Sequence, residues 1–430
     1  MKNLLLILSL LFSSTSFCCE FLKQLPRDVQ HIPLRMKDNV SVSFFMKKSV
    51  NKNAENIIFI NGGPGGSSHS SIKKLSKISS LNNFNLILFD QRGNGCSSPF
   101  PESKDLNFIA KDAFRYTSHA IVKDLEQFRR IILKSKKVHL FSQSYGSLVA
   151  RRYLLQHPGV IKSITTHGFS TISNPHLYRY FFMKDSLKKA TTFFRQYPRT
   201  KSKFKETLRN EMQKLCKSNT KKCYIGLMRG LGQRINQNLK WDQLAKELDV
   251  LHTKSKDHAA IGFKYTSHND FKFTPRLAYI ITLASYDYLG QVQNPHDPYF
   301  CFKGRNNLRN KSYGESINPF LFDCKETTSW EQKLLKGMYK KASTAILPQN
   351  ILKVLEANKE VRFVSLSAGQ DVFATDSYFK NDKELSIRLE NFNYFHLKNQ
   401  SHSGWSDPLT IKILITNVLK DKVKFKKIQK

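Results

Sequence analysis

The stretch Val138-His139-Leu140-Phe141-Ser142-Gln143-Ser144-Tyr145-Gly146-Ser147-Leu148-Val149-Ala150-Arg151-Arg152-Tyr153 decides the fold. Its first four residues predict a short buried strand. From Tyr145 to Gln156 the pattern turns helical and stops ahead of Pro158. A serine therefore stands at the apex of a strand, a sharp turn and a helix, the arrangement of a nucleophile elbow. Ser142 and Gly146, small residues two before and two after Ser144, let neighbouring backbone pass close to the turn. The helix N-terminus supplies N–H groups for developing negative charge. A serine in such a five-residue pattern is by itself more often structural. The flanking strand and helix turn the reading toward a nucleophile.

Two more strand ends carry turn chemistry. Ile57-Ile58-Phe59-Ile60 leads into Asn61-Gly62-Gly63-Pro64-Gly65-Gly66-Ser67-Ser68, where glycines let the backbone bend and aim an N–H at a ligand. Such a loop also serves as a plain connection or a phosphate cradle, but no Gly-Lys-Ser/Thr ending follows to support a nucleotide. Leu86-Ile87-Leu88-Phe89 leads into Asp90-Gln91-Arg92-Gly93-Asn94-Gly95-Cys96-Ser97-Ser98-Pro99.

At these residues the chain resembles the proline iminopeptidase branch of the α/β-hydrolases. These serine exopeptidases carry His-Gly-Gly-Pro-Gly, Asp-Gln-Arg-Gly-x-Gly-x-Ser and Gly-Gly-Ser-Trp-Gly-Ser. The corresponding residues here are Asn61-Gly62-Gly63-Pro64-Gly65, Asp90 to Ser97, and Ser142-Gln143-Ser144-Tyr145-Gly146-Ser147. The resemblance spans roughly residues 40–170 and, in pattern, 360–410. It implies oxyanion N–H groups from Gly63 and Tyr145. Asn61 in place of histidine and Tyr145 in place of tryptophan fall on the pocket wall, where they bear on substrate choice more than on chemistry.

Candidate strands are Val40–Phe45, Ile57–Ile60, Leu86–Phe89, Val138–Phe141, Ile161–Thr165, Val361–Leu366 and Phe392–Leu397. A helix with one buried face runs from Ile121 to Ile132. Between about Asn174 and Asn350 the strand rhythm gives way to helix-like sequence around Lys184–Gln196, Lys203–Leu215 and Trp241–Leu248. The fold class expected is therefore an α/β-hydrolase fold: a mostly parallel central sheet with a long, mainly helical cap insertion. The expected divisions are a leader over 1–18, core over 19–173, cap over 174–350, and core again over 351–430.

After the strand ending at Leu366 comes Ser367-Ala368-Gly369-Gln370-Asp371, where the family places its carboxylate, and Asp376 stands as a competitor that could instead cap a helix. After the strand ending at Leu397 comes Asn399-Gln400-Ser401-His402-Ser403-Gly404-Trp405, which resembles the family's histidine loop. His396, inside the strand pattern, reads as packed or structural. The order Ser144, Asp371, His402 is the order of this fold. In the family, acidic cap residues hold the substrate amine. Trp241-Asp242 and Trp330-Glu331 are similar to the aromatic-acid pairs of such caps, with a surface role as the plainer reading.

Lys2 followed by Leu4-Leu5-Leu6-Ile7-Leu8 and a Ser/Thr tract reads as a secretory leader, its apolar run too short to span a bilayer. Cleavage before Cys19 leaves Cys19, Cys96, Cys216, Cys223, Cys301 and Cys324, an even set that permits disulfides. Cys216 with Cys223 and Cys301 with Cys324 are the expected pairs, with Cys96 equally readable as a free thiol. Lipid attachment at an N-terminal cysteine stays open as an alternative. The spacings fit no zinc pattern. The net charge of +37 is spread along the chain, without the signatures of a nucleic-acid module. A solvated basic surface, loosely attracted to anionic envelope components, is expected.

The sequence thus predicts an exported serine aminopeptidase, periplasmic or secreted, acting on peptides with a free N-terminus and requiring no metal or organic cofactor. An esterase or lipase would use the same triad. A non-catalytic binding protein on the same fold is the reading from a different class.

Overall fold

The computed structural model describes residues 19–134, 136–170, 188–189, 191–200, 241–250, 279, 287, 346–371, 374 and 376–420. Its strands are β1 (Val29–Arg35), β2 (Ser41–Lys47), β3 (Asn56–Ile60), β4 (Asn85–Phe89), β5 (Val138–Gln143), β6 (Ile161–His167), β7 (Arg362–Ala368) and β8 (Phe392–Leu397). The helices are α1 (His69–Leu75), α2 (Leu106–Asp112), α3 (Ser118–Ile131), α4 (Tyr145–Gln156), α5 (Trp241–Val250), α6 (Pro348–Ala357), α7 (Lys380–Arg388) and α8 (Pro408–Val418). All eight strands form one sheet in the order β1-β2-β4-β3-β5-β6-β7-β8. Only the β1–β2 and β2–β4 pairs are antiparallel.

The sheet carries apolar side chains on both faces around β2, β3 and β4 because these strands are apolar at consecutive positions, and alternate side chains must point to opposite sides. Phe44, Ile58 and Ile60 pack with Leu125, Phe128, Leu148 and Tyr153 of α3 and α4. Phe45, Ile57 and Phe59 pack on the other face with Ile72 and Leu75 of α1 and with Trp405, Ile411 and Leu414 near and within α8. One strand escapes sequence reading. In β1 polar residues and Pro33 interrupt the apolar Val29, Ile32 and Leu34; Pro33 is compatible with an edge because it has no N–H to donate, and β1 is the edge, paired only to β2.

Of the expected helices, Trp241–Leu248 falls within α5. Residues 188–189 and 191–196 are helical. Lys203–Leu215 lies outside the described residues.

β7 lies beside β6, so the chain returns to the sheet next to the strand it left almost 200 residues earlier. A buried ion pair joins the two portions: Arg151 Nη2 of α4 donates to Asp382 Oδ2 of α7 at 2.6 Å, and neither side chain reaches solvent. Ser365 Oγ donates to the same carboxylate oxygen at 2.5 Å. Removing one partner of such a pair typically costs about 3–5 kcal/mol, because the other is left charged in the interior.

Cys96 is not a free thiol: it forms a disulfide with Cys19 across a sequence separation of 77. Cys216, Cys223, Cys301 and Cys324 lie outside the described residues. A crosslink closing a loop of that length restricts the unfolded chain by about 4 kcal/mol. Cys19→Ala with Cys96→Ala is therefore expected to lower the unfolding free energy by about that much. Denaturant titration of oxidised wild type against the double variant measures it, and coincident midpoints would contradict it.

Candidate active site

β3 and β5 are neighbours, while the chain runs from β3 to β4 on one side and reaches β6 on the other. Strand order reverses between them, and in open parallel sheets the crevice at such a point, beyond the C-terminal ends of the strands, is where ligands bind. The Gly62-Gly63 loop leaves β3 here and Ser144 leaves β5.

Ser144 has φ +50° and ψ −124°, a backbone region costly for a residue with a Cβ. Its amide is held by the His167 carbonyl at 2.8 Å, and its own carbonyl accepts from Ser147 N at 2.8 Å. Gly146 is needed for close approach: a Cβ there would meet the Ile60 carbonyl oxygen at 2.1 Å. Ser142, where the family's usual motif has glycine, is buried. Its hydroxyl donates weakly to Ser147 Oγ at 3.3 Å, so the extra atoms fit inside the turn.

The glycine loop lies against the serine, since a methyl at Gly62 would sit 3.1 Å from Ser144 Cβ. Gly63 has φ +135°, and a Cβ there would strike the amide nitrogens of Gly65 and Gly66. The loop is clamped by Gln91, whose Oε1 accepts from Gly65 N at 2.9 Å while its Nε2 donates to the Asn61 carbonyl at 2.8 Å. Asp90, buried, accepts from Ser68 N at 2.5 Å and Cys96 N at 2.7 Å. Arg92, pinned between Asp124 and Asp38, ties the same turn to α3. These three motif residues build the loop. Asn61 belongs to the same scaffold: its amide donates to Ser68 Oγ at 2.9 Å and accepts from Ser71 Oγ at 2.7 Å.

Asp371 is fully buried, and its Oδ2 lies 2.7 Å from Nδ1 of His402. Its Oδ1 accepts from Ala374 N at 3.0 Å. The two loops are laced together by backbone, Gly369 N to the Leu397 carbonyl and Gln370 N to the Gln400 carbonyl, both at 2.9 Å. Gln143, the residue before Ser144, donates its amide to the His402 carbonyl at 3.1 Å, which ties the histidine loop to the elbow. The pair packs over the end of β6: a methyl at Gly168 would lie 3.1 Å from His402 Nδ1 and 3.2 Å from Asp371 Oδ2. Asp376 opens a short 3-10 turn, Asp376–Phe379. His396 is exposed on β8, its Nδ1 2.9 Å from Ser367 Oγ.

His167, beneath this pair, is entirely buried. Burial pushes its pKa down to about 4 against the pull of the Asp371 carboxylate, so the ring is neutral at pH 7. Residues between β6 and β7 also reach the site. Lys189 Nζ donates to the Asp371 carbonyl at 3.1 Å, and Asp287 accepts from the Tyr145 hydroxyl at 2.6 Å. Neither has a sequence signal, since nothing local marks a residue whose partner is more than a hundred positions away. Asp242 is exposed and accepts from the Tyr197 hydroxyl. Trp330 and Glu331 lie outside the described residues. Cys19, His69 and Cys96 bring three ligand-type atoms within 4.8 Å of one another, but the two sulfurs are already joined to each other.

The family model for the alpha/beta hydrolase fold matches residues 55–311. A proline iminopeptidase of Lactobacillus crispatus (strain ST1) is 33% identical over 123 residues, 28% of this chain and 38% of that protein. One of Saccharolobus solfataricus is 27% identical over 135 residues, 31% of this chain and 39% of that protein. The chain thus spans about two fifths of the length of these curated relatives. Among solved structures, a proline iminopeptidase of Mycobacterium smegmatis aligns over 91% of this chain and 99% of its own, with a TM-score of 0.45 and 11% identity.

Proposed function

The chain belongs to the α/β-hydrolase fold family, and from that we propose that it is a serine hydrolase, an aminopeptidase cleaving near the free N-terminus of peptides. The observation that carries the reading is the 2.7 Å contact between His402 Nδ1 and Asp371 Oδ2, on a loop hydrogen-bonded to the residue before Ser144. With Nδ1–H donating to the carboxylate, Nε2 is the nitrogen that works as base.

In this mechanism Nε2 of His402 takes the Ser144 proton as Oγ attacks the scissile carbonyl carbon. The N–H groups of Gly63 and Tyr145 hold the oxyanion. The C–N bond then breaks, His402 gives the proton to the leaving amine, and an acyl-Ser144 ester remains. Water attacks that ester with His402 again as base, releasing the acid and restoring Ser144. Asp371 keeps the imidazole in the needed tautomer and stabilises its charged form.

The segment between β6 and β7 is the cap in this reading, supported by the reach of Lys189 and Asp287 to the residues around Ser144 and Asp371. A roofed pocket admits a long chain only by its end. A protonated amine in such a site needs a carboxylate partner, because an unpaired charge there is costly. The apolar leader sequence and the Cys19–Cys96 disulfide support export.

The test is a panel of peptide arylamides with free and acetylated N-termini beside short-chain esters. Acetylation is expected to lower kcat/KM by about 100-fold or more, the effect of losing a partly desolvated ion pair. Equal rates on both forms, or turnover confined to simple esters, would move the assignment to an esterase.

A further inference from the structure

Two described residues between β6 and β7 are anchored in the core. Tyr279 is buried, stacks on Phe100 with ring centroids 4.7 Å apart, and donates its hydroxyl to Asp112 Oδ2 at 2.7 Å. Asp287 is 9% exposed and reaches the elbow itself. Its Oδ2 accepts from Ser118 N at 2.8 Å and from the Tyr145 hydroxyl at 2.6 Å. Its Oδ1 accepts from Ser118 Oγ at 2.6 Å and lies 3.9 Å from Arg152 Nη2. Ser118 is the first residue of α3, so the carboxylate sits at the end of a helix that presents unpaired N–H groups and positive potential.

A buried carboxylate is tolerated where donors and a cation surround it. Here three donors and Arg152 do so, and one donor is the side chain of the residue that follows Ser144. Arg152 is held in place in turn, its Nε donating to Ser118 Oγ at 2.6 Å. Tyr145 is wholly buried, so its ring has no other place to go. Fixing the far end of that side chain restricts rotation about the Tyr145 backbone, and an oxyanion donor works only when held within a fraction of an ångström of its position.

We propose that Asp287 is a positioning residue of the hydrolytic site, holding the Tyr145 side chain and through it the placement of the Tyr145 N–H beside Ser144. This rests on the reading of Ser144 as nucleophile and of that N–H as an oxyanion donor. Under it, Asp287 serves protein donors rather than a substrate amine.

Wild type, Asp287→Asn, Tyr145→Phe and the double variant are compared in three measurements: the rate of fluorophosphonate labelling at Ser144, kcat and KM on a free-amine peptide arylamide, and the thermal midpoint. Each single variant is expected to slow labelling and lower kcat by about tenfold or more with KM little changed. The double variant should be no slower than the worse single one, because both remove one link. Tyr145→Phe keeps the buried ring and decides the matter if Asp287→Asn does not fold. Wild-type labelling and kcat in Tyr145→Phe overturn the proposal, whatever the midpoint does. A rise in KM alone in Asp287→Asn also overturns it, assigning the carboxylate to substrate instead. Wild-type protein that resists labelling sinks the nucleophile reading itself, and with it any acylation for Asp287 to support.

Discussion

Ser144→Ala is expected to lower kcat by about a millionfold, and His402→Ala by a similar factor, because nucleophile and base act as a unit and losing either removes the covalent route. The two variants should differ in stability. At φ +50° alanine carries the same backbone strain as serine, so Ser144→Ala should melt with wild type, whereas Ser144→Gly should gain about 1 kcal/mol by relieving it. His402→Ala takes one partner from the buried Asp371, a loss on the order of 1–3 kcal/mol, with the Ala374 amide still bound to the other oxygen. Turnover of a free-amine peptide arylamide, read beside circular dichroism, separates lost chemistry from lost fold. Ser144→Ala that retains wild-type kcat would end the serine-hydrolase reading.

Asp371→Asn is expected to cost about four orders of magnitude in kcat with little change in KM. An asparagine amide turned toward His402 asks Nδ1 to accept a hydrogen bond. That places the ring proton on Nε2, the nitrogen that must be bare to take the Ser144 proton. The imidazolium formed during attack also loses its 2.7 Å carboxylate partner. Asp376→Asn should leave kcat within a few-fold of wild type, since the carboxylate facing His402 belongs to Asp371. A dead Asp376→Asn beside an active Asp371→Asn would exchange the two assignments. A mass adduct after fluorophosphonate treatment gives a second readout, expected to form far more slowly in Asp371→Asn than in wild type.

The roles of the three loop motifs divide along the line between backbone and side chain. Gly63 and Tyr145 are proposed to act through their N–H groups, the Tyr145 hydroxyl serving to hold that residue's own N–H in place by the bond to Asp287. The side chains of Asp90, Gln91 and Arg92 face inward and hold the glycine loop and α3.

The amino-acid sequence by itself determined the alternation of strands and helices and the sharp strand-to-helix turn at Ser144. Each of these is local. A buried strand announces itself by consecutive apolar residues, and α4 by apolar positions at helical spacing up to Gln156. The sharp turn between them is marked by Gly146, where a neighbouring carbonyl leaves no room for a Cβ. β1 was illegible because an edge strand needs neither an apolar run nor every N–H, and Pro33 broke its pattern. The pairing of Cys96 with Cys19, the clamp of Gln91 on the glycine loop, and the reach of Asp287 to Tyr145 were decided only by tertiary structure. Their partners lie tens to more than a hundred residues apart, so which donor meets which acceptor depends on how the sheet brings its strand ends together. A sequence read along its length carries no signal for that, because the energy that selects those pairs arises only once the core has excluded water around them.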